Sequence, residues 1–301
     1  MEKKTKRKSL ASKNAVAGYL FISPFIIGFI AFLVVPLIES FRMSLSTVTI
    51  GQGGFDMVFN AFSNYKKVFL IDPEFNRLLT AELLKMLLEV PATIIFSFFI
   101  ALILNQKFKG RGLVRAIFFL PVILSSGVMV GLEYSNTLLQ GMKDVIEESS
   151  NMTSVTKVLE DILLQSNLGS GFISYILQIV DRVYDIAIAS GIQIIIFLSG
   201  LQTISISMFE AAKIEGATAW ESFWKITFPM ISSLILVNVI YSIIDFFIRS
   251  DNEVMEKISD TMISKMDYGF SSAMAWVYFI IVMVIVAVVS AIISKRVYYY
   301  E

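Results

Sequence analysis

Apolar residues in this chain come in long uninterrupted blocks, separated by short polar stretches. Neither the period of a surface helix nor the alternation of a half-buried strand dominates. A bilayer's hydrocarbon core is about 30 Å thick and takes roughly 20 apolar residues in helix to cross. Six segments meet that length: Val16–Ile38, Leu83–Leu104, Leu113–Leu132, Ile186–Ile204, Ile226–Ile248 and Ala273–Ile293. The pattern predicts an all-α, polytopic membrane protein with six transmembrane helices, preceded by a basic tail over residues 1–14.

Charge orients the spans. Lys3, Lys4, Lys6, Arg7, Lys8 and Lys13 crowd the tail, and Lys107, Lys109, Arg111 and Arg115 fill the loop after the second span. Lys295 and Arg296 follow the last span. Six spans put all of these on one side, and the excess of Lys and Arg in short loops makes that side cytoplasmic, with both termini inside. The first apolar block is longer than the 7–15-residue core of a secretory signal and lacks a small-residue cleavage pattern, so it reads as a retained span. The loops 44–81, 135–185 and 249–272 then lie outside. The second contains "SVTKVLEDILLQ", whose apolar positions Val155, Val158, Leu159 and Ile162 suit an amphipathic helix, either a surface-lying connector or a cover over a cavity.

Composition narrows the chemistry. The chain is 56% hydrophobic and 17% charged, with a mean hydropathy of +0.73, against roughly 45–50% and about 25% for a soluble domain. Formal net charge is zero, which offers no global attraction to nucleic acid. There is no cysteine and no histidine, which excludes thiol nucleophiles, thiolate metal sites and the commonest general base. No G-x-x-x-x-G-K-[ST] phosphate cradle is present. The chain is therefore expected not to be an enzyme and to hold no cofactor or metal, with any energy for its work coming from another polypeptide or an ion gradient.

One polar segment stands out between the fourth and fifth spans: "EAAKIEGATAWESFWKITFPM", Glu210–Met230. On the predicted topology it is cytoplasmic. Its residues favour helix up to Gly216, and a glycine there fits a bend or a close backbone approach. Ala212 and Gly216, four apart, are expected to share a smooth helical face ringed by Glu210 and Glu215. Pro229 falls where a fifth span begins and its missing N–H matters least. The segment reads as a short exposed helix, a turn and re-entry into the bilayer, either a plain connector or a docking piece.

The spacing Glu210-Ala211-Ala212, three residues, Gly216, nine residues, Ile226-Thr227-Phe228-Pro229 resembles the EAA loop of binding-protein-dependent ABC importer permeases. Phe228 replaces that family's usual leucine. "AGYLFISPFIIGFIAFLVVPLIESFRMSLS", "FKGRGLVRAIFFLPVILSSGVMVGLEY" and "YGFSSAMAWVYFIIVMVIV" resemble the maltose or multiple-sugar branch, first-subunit kind. The resemblance implies a type I importer permease core in a bacterial cell membrane and alternating access for a sugar or oligosaccharide. It also implies a second homologous permease subunit, an ABC ATPase dimer docked on the EAA loop (Glu210, Ala211, Ala212, Glu215, Gly216, Pro229), and an extracellular solute-binding protein.

A polar solute needs hydrogen-bonding side chains along its path. Asn238, Ser242, Asp245 and Arg249 follow steps of four, three and four on the fifth span and so form one stripe, with Tyr241 beside it. Ser190 and Gln193 on the fourth span are further candidates, as are Ser125 and Ser126 on the third. The competing role is helix–helix adhesion through Asn and Ser. Glu89 has Lys85 one turn before it, which a local pair explains. Two other transport readings stay open: the same fold carrying glycerol phosphate or an amino acid, and a stand-alone secondary carrier driven by an ion gradient.

Overall fold

The computed structural model describes residues 10–51, 54–106, 108–125, 182–183, 185–249, 252–295 and 297. The amphipathic stretch at 155–162, Ser126 and the basic residues before Leu10 lie outside them. The chain is mostly helical. Helices α1 (Leu10–Phe29) and α2 (Val35–Ser44) lead to a hairpin of β1 (Ser46–Gly51) and β2 (Gly54–Phe59), then α3 (Ser63–Lys66), α4 (Pro73–Asn105) and α5 (Arg111–Ser125). After the undescribed segment come α6 (Gly191–Thr203), α7 (Ile206–Ile214), α8 (Ala219–Ser222), α9 (Phe228–Ile248), α10 (Glu253–Ile263) and α11 (Tyr268–Ser294).

Four helical runs are long and apolar enough to cross a bilayer: Gly18–Ser44, Pro73–Asn105, Ala219–Ile248 and Tyr268–Ser294. They coincide with the first, second, fifth and sixth predicted spans. The fourth predicted span falls on α6, which breaks by 61° into α7. Of the third, only the part up to Ser125 is described, as α5.

Each π-helical turn stands just ahead of a proline. Ile30–Val34 precedes Pro36, Lys67–Ile71 precedes Pro73, and Phe223–Thr227 precedes Pro229. A proline cannot donate to the carbonyl four residues back, and its ring collides with that carbonyl. Before Pro36 and Pro229, where the helix runs on, widening the preceding turn to i→i+5 bonding moves the carbonyl aside; before Pro73 the chain turns extended at Asp72 and α4 starts afresh. Pro24 and Pro91 sit inside α1 and α4 without such a turn. Pro229 was expected at the start of a span. It is the second residue of α9, which the π turn joins to α8 in the continuous run Ala219–Ile248.

The chain forms two compact units. Unit one holds residues up to Glu82 and Ser250–Ile281. The hairpin pairs antiparallel, Ser46 opposite Phe59 through Gly51 opposite Gly54. Asn64 pins it by donating from Nδ2 to the Ser44 and Ser46 carbonyls at 3.0 and 2.9 Å. Gly269 lets α11 approach here: a Cβ on it would stand 2.3 Å from the Ser46 carbonyl oxygen. Asn252 caps α10, accepting from the N–H groups of Val254 and Met255. Lys257 pairs with Glu74 and, at 3.7 Å, with Asp72. Lys67 pairs with Asp267 at 2.8 Å.

Unit two holds Leu83–Arg249 and the residues from Val282 on. Its core is built from α4 (Ala101, Leu104), α6 (Ile194, Phe197, Leu198, Leu201), Ile204 and Ile231 of α9. In lipid the tails outside are as apolar as these side chains, so close packing and interhelical hydrogen bonds hold the helices together.

Candidate functional site

The polar stripe on α9 opens into a small cavity within unit two, about 10 Å³, roughly the room of one water. From α9 it is lined by Ser242, Asp245, Phe246 and Arg249, from α4 by Glu89, Val90 and Thr93, and from the α6 region by Ala189 and Gln193. The volume falls below the roughly 300–1,000 Å³ usual for small-molecule pockets, so in this conformation the cavity is too tight for an oligosaccharide.

Two contacts organise the lining. Arg249 Nη2 donates to Glu89 Oε2 at 2.9 Å, and both side chains are about a quarter exposed. The Arg249 guanidinium also lies over the Phe246 ring, 5.0 Å from its centroid, a cation–π arrangement. The Gln193 amide and the Ser242 hydroxyl meet at 2.9 Å, and both residues are buried. One amide orientation satisfies both of its ends: the oxygen accepts from Ser242 while the nitrogen donates to the carbonyls of Ala189 at 2.8 Å and Ser190 at 3.2 Å.

The sequence-predicted residues divide. Ser242, Asp245, Arg249 and Gln193 converge on the cavity. Ser190 does not line it; its hydroxyl donates to the Ala187 carbonyl at 2.8 Å, and its own carbonyl accepts from Ser97 at 3.5 Å. Tyr241 is half-buried beside the stripe. Asn238 is fully buried, and neither amide atom has a hydrogen-bond partner. Ser125 lies at the last described residue of α5 and Ser126 lies outside the described residues.

Glu89 and Thr93 were not placed in the path by the sequence. Glu89 was explained there by Lys85; its carboxylate accepts from Arg249 on another helix. The signal was present: an ionisable residue inside a span faces protein or a water-filled cavity by default, and Glu89 and Thr93 are one turn apart on one face.

The segment after α6 has the predicted order of helix, turn and re-entry, with one difference. α7 ends at Ile214, so Gly216 does not share a helical face with Ala212. Gly216 takes φ +79°, donates to the Lys213 carbonyl at 3.1 Å, and the next residue, Ala217, donates to the Ala212 carbonyl at 2.9 Å. This is a Schellman cap, whose left-handed residue is best served by glycine. A Cβ on Gly216 would meet nothing within 4 Å; the backbone angle demands the glycine, and no crowding does. Thr218 then starts α8 with a capping box, its hydroxyl accepting from the Glu221 N–H while the Glu221 carboxylate accepts from the Thr218 N–H. Glu210, Ala211 and Glu215 are exposed and Ala212 is half-buried. The knuckle is thus rigid at its corner and open along its acidic side.

No family model matches the chain. It is similar to the probable ABC transporter permease protein YesP of Bacillus subtilis, 29% identical over 98% of this chain and 96% of that protein. The multiple sugar-binding transport system permease protein MsmF of Streptococcus mutans is 26% identical over 94% of this chain and 97% of its own length. Among solved structures, a chain of a bacterial alginate ABC transporter in complex with an alginate pentasaccharide-bound periplasmic protein matches with a TM-score of 0.62. That match is 19% identical and covers 94% of this chain and 96% of that one. Along nearly its whole length the chain is similar to ABC transporter permease proteins. The likeness runs the length of the permease, so its α7 knuckle and α9 stripe fall within a shared fold and not within an appended module.

Proposed function

We propose that this chain is the membrane-spanning subunit of an ATP-driven importer for a sugar or oligosaccharide. The end-to-end similarity to a permease named for multiple-sugar transport, joined by a lactose permease matched over 80% of this chain, supports this reading more than any other observation. Six spans with both termini in the cytoplasm would complete the topology, the third and fourth built around α5 and α6. A second homologous permease subunit would supply the other half of the path. An ATPase pair would seat on the α7 knuckle through Glu210, Ala211, Ala212 and Glu215, and a solute-binding protein would deliver ligand from outside.

On this reading the cavity between α4, α6 and α9 is the closed form of the path. Gln193 and Ser242 offer the neutral donor and acceptor pairs that sugar hydroxyls exchange with, and Phe246 and Tyr241 offer ring faces. Opening requires α4 and α9 to separate where Glu89 meets Arg249. A capped, rigid corner at Gly216 suits a lever, because only an element with two discrete seatings passes a distant stroke into the bundle.

The test is reconstitution in proteoliposomes with the second permease, the ATPase and the binding protein, following uptake of labelled oligosaccharides. ATP-dependent uptake of a sugar supports the reading. Uptake by this chain alone, driven by an ion gradient and indifferent to ATP, overturns it.

A further inference from the structure

Two of the chain's three tryptophans, Trp220 and Trp224, stand one helical turn apart at the start of the run Ala219–Ile248. They are 69% and 47% exposed, and their rings meet edge to face with centroids 5.6 Å apart. Lys225 beside them keeps 76% of its side chain exposed, its ammonium 4.0 Å from the Glu221 carboxylate.

The length of this run locates the pair. Its 30 residues measure about 45 Å at about 1.5 Å per residue. That matches a bilayer of about 40–45 Å including headgroups, and exceeds the hydrocarbon core of about 30 Å. The run therefore reaches from one headgroup layer to the other. Its apolar stretch begins at Ile226, which sets Trp224 about 3 Å and Trp220 about 9 Å beyond the hydrocarbon edge when the helix stands upright, and less when it tilts. Indole suits that layer, with an apolar body and a single N–H donor for phosphate or ester oxygens. A lysine at the same depth extends its stem along the helix and its ammonium towards phosphate.

The rings also lead inward. Trp220 stacks on Phe223 at 6.1 Å and 22°, Phe223 meets Phe98 at 5.9 Å, and Phe98 meets Phe197 at 5.4 Å. Phe197 is fully buried in the helical core. Rings in contact thus run from the exposed end of the helix to its packed centre.

We propose that Trp220, Trp224 and Lys225 form an anchor in the lipid headgroup layer, which sets the depth at which the α7 knuckle is held against the bilayer. The partner is phospholipid, recognised at its phosphate and glycerol-ester level. The inference rests on the membrane topology of α9 alone and not on the transported solute.

The chain can be tested whole, in lipid nanodiscs, as the W276F variant, which leaves Trp220 and Trp224 as the only fluorophores of this kind. Lipids carrying a nitroxide on the headgroup should quench the emission at least about two-fold more than lipids carrying it deep in the acyl chain. Equal quenching, deeper quenching or none overturns the anchor. A second measurement uses W220C, the only cysteine of the chain, labelled with an aromatic environment-sensitive probe in the fully assembled transporter. Retained headgroup quenching supports the proposal. Its loss on assembly would assign this surface to the ATPase and overturn it. A transporter that fails to import sugar yet keeps the quenching would refute the functional reading and leave the anchor standing.

Discussion

Arg249 on α9 and Glu89 on α4 lie 160 residues apart and meet at 2.9 Å across the cavity. The pair is three-quarters buried, so each charge is partly desolvated and depends on the other. Breaking such a pair leaves a desolvated charge without that counter-charge, whereas removing both leaves neither.

Glu89→Gln and Arg249→Gln are each expected to cut uptake about tenfold and lower stability by about 1–2 kcal/mol after discounting for solvent access. The double variant should lose less stability than the two singles summed, with a coupling of about 1 kcal/mol. Thermal denaturation of all four proteins closes the cycle. Strict additivity would show that the contact contributes nothing.

Gly216 holds φ +79° with open space around it. Gly216→Asn should keep both coupling and assembly, because asparagine tolerates left-handed backbone. Gly216→Val should cost about 1–2 kcal/mol locally and raise ATP hydrolysed per solute moved, with insertion unchanged. Equal coupling in the two variants would detach this corner from force transmission.

Asn238 is buried with both amide atoms unpaired. Each such atom costs about 1–3 kcal/mol relative to a paired one, so Asn238→Leu, close in shape and apolar, should raise the unfolding midpoint. A simultaneous fall in uptake would mean that the amide gains partners only in another state of the transport cycle. Unchanged uptake with higher stability would assign it to packing alone.

Lys257 in α10 titrates above the ordinary lysine value of 10.5: burial pulls it down, and its hydrogen bond to Glu74 with the charges of Glu74 and Asp72 more than offsets this. A raised folded value means the contribution is complete below the unfolded value and lost as pH rises through the folded one. Stability in this region should therefore decline above about pH 10.5, and Lys257→Met should flatten that decline. Hydrogen exchange or denaturation across the alkaline range checks it; identical pH profiles would deny the pairing any role.

Much of the architecture was legible because hydrocarbon imposes a one-dimensional rule. An apolar block long enough to cross must be a helix, since backbone groups find no partner in lipid, and four of the six predicted blocks coincide with long apolar helices. The knuckle at 206–218 was legible too, because a polar stretch between apolar ones breaks that rule. The stripe on α9 was half legible: spacing put Asn238, Ser242, Asp245 and Arg249 on one face, yet spacing cannot say that the cavity takes the last three and leaves Asn238 unpaired.

The sequence by itself determined which blocks are apolar enough to cross a bilayer, where the polar knuckle falls and which face of α9 carries polar groups, since each follows from local composition and helical period. Tertiary structure alone decided that Glu89 belongs to Arg249, that Gln193 belongs to Ser242 and that Gly216 closes a cap. Those pairings bring distant segments together or fix one backbone angle, and a one-dimensional pattern carries no record of either.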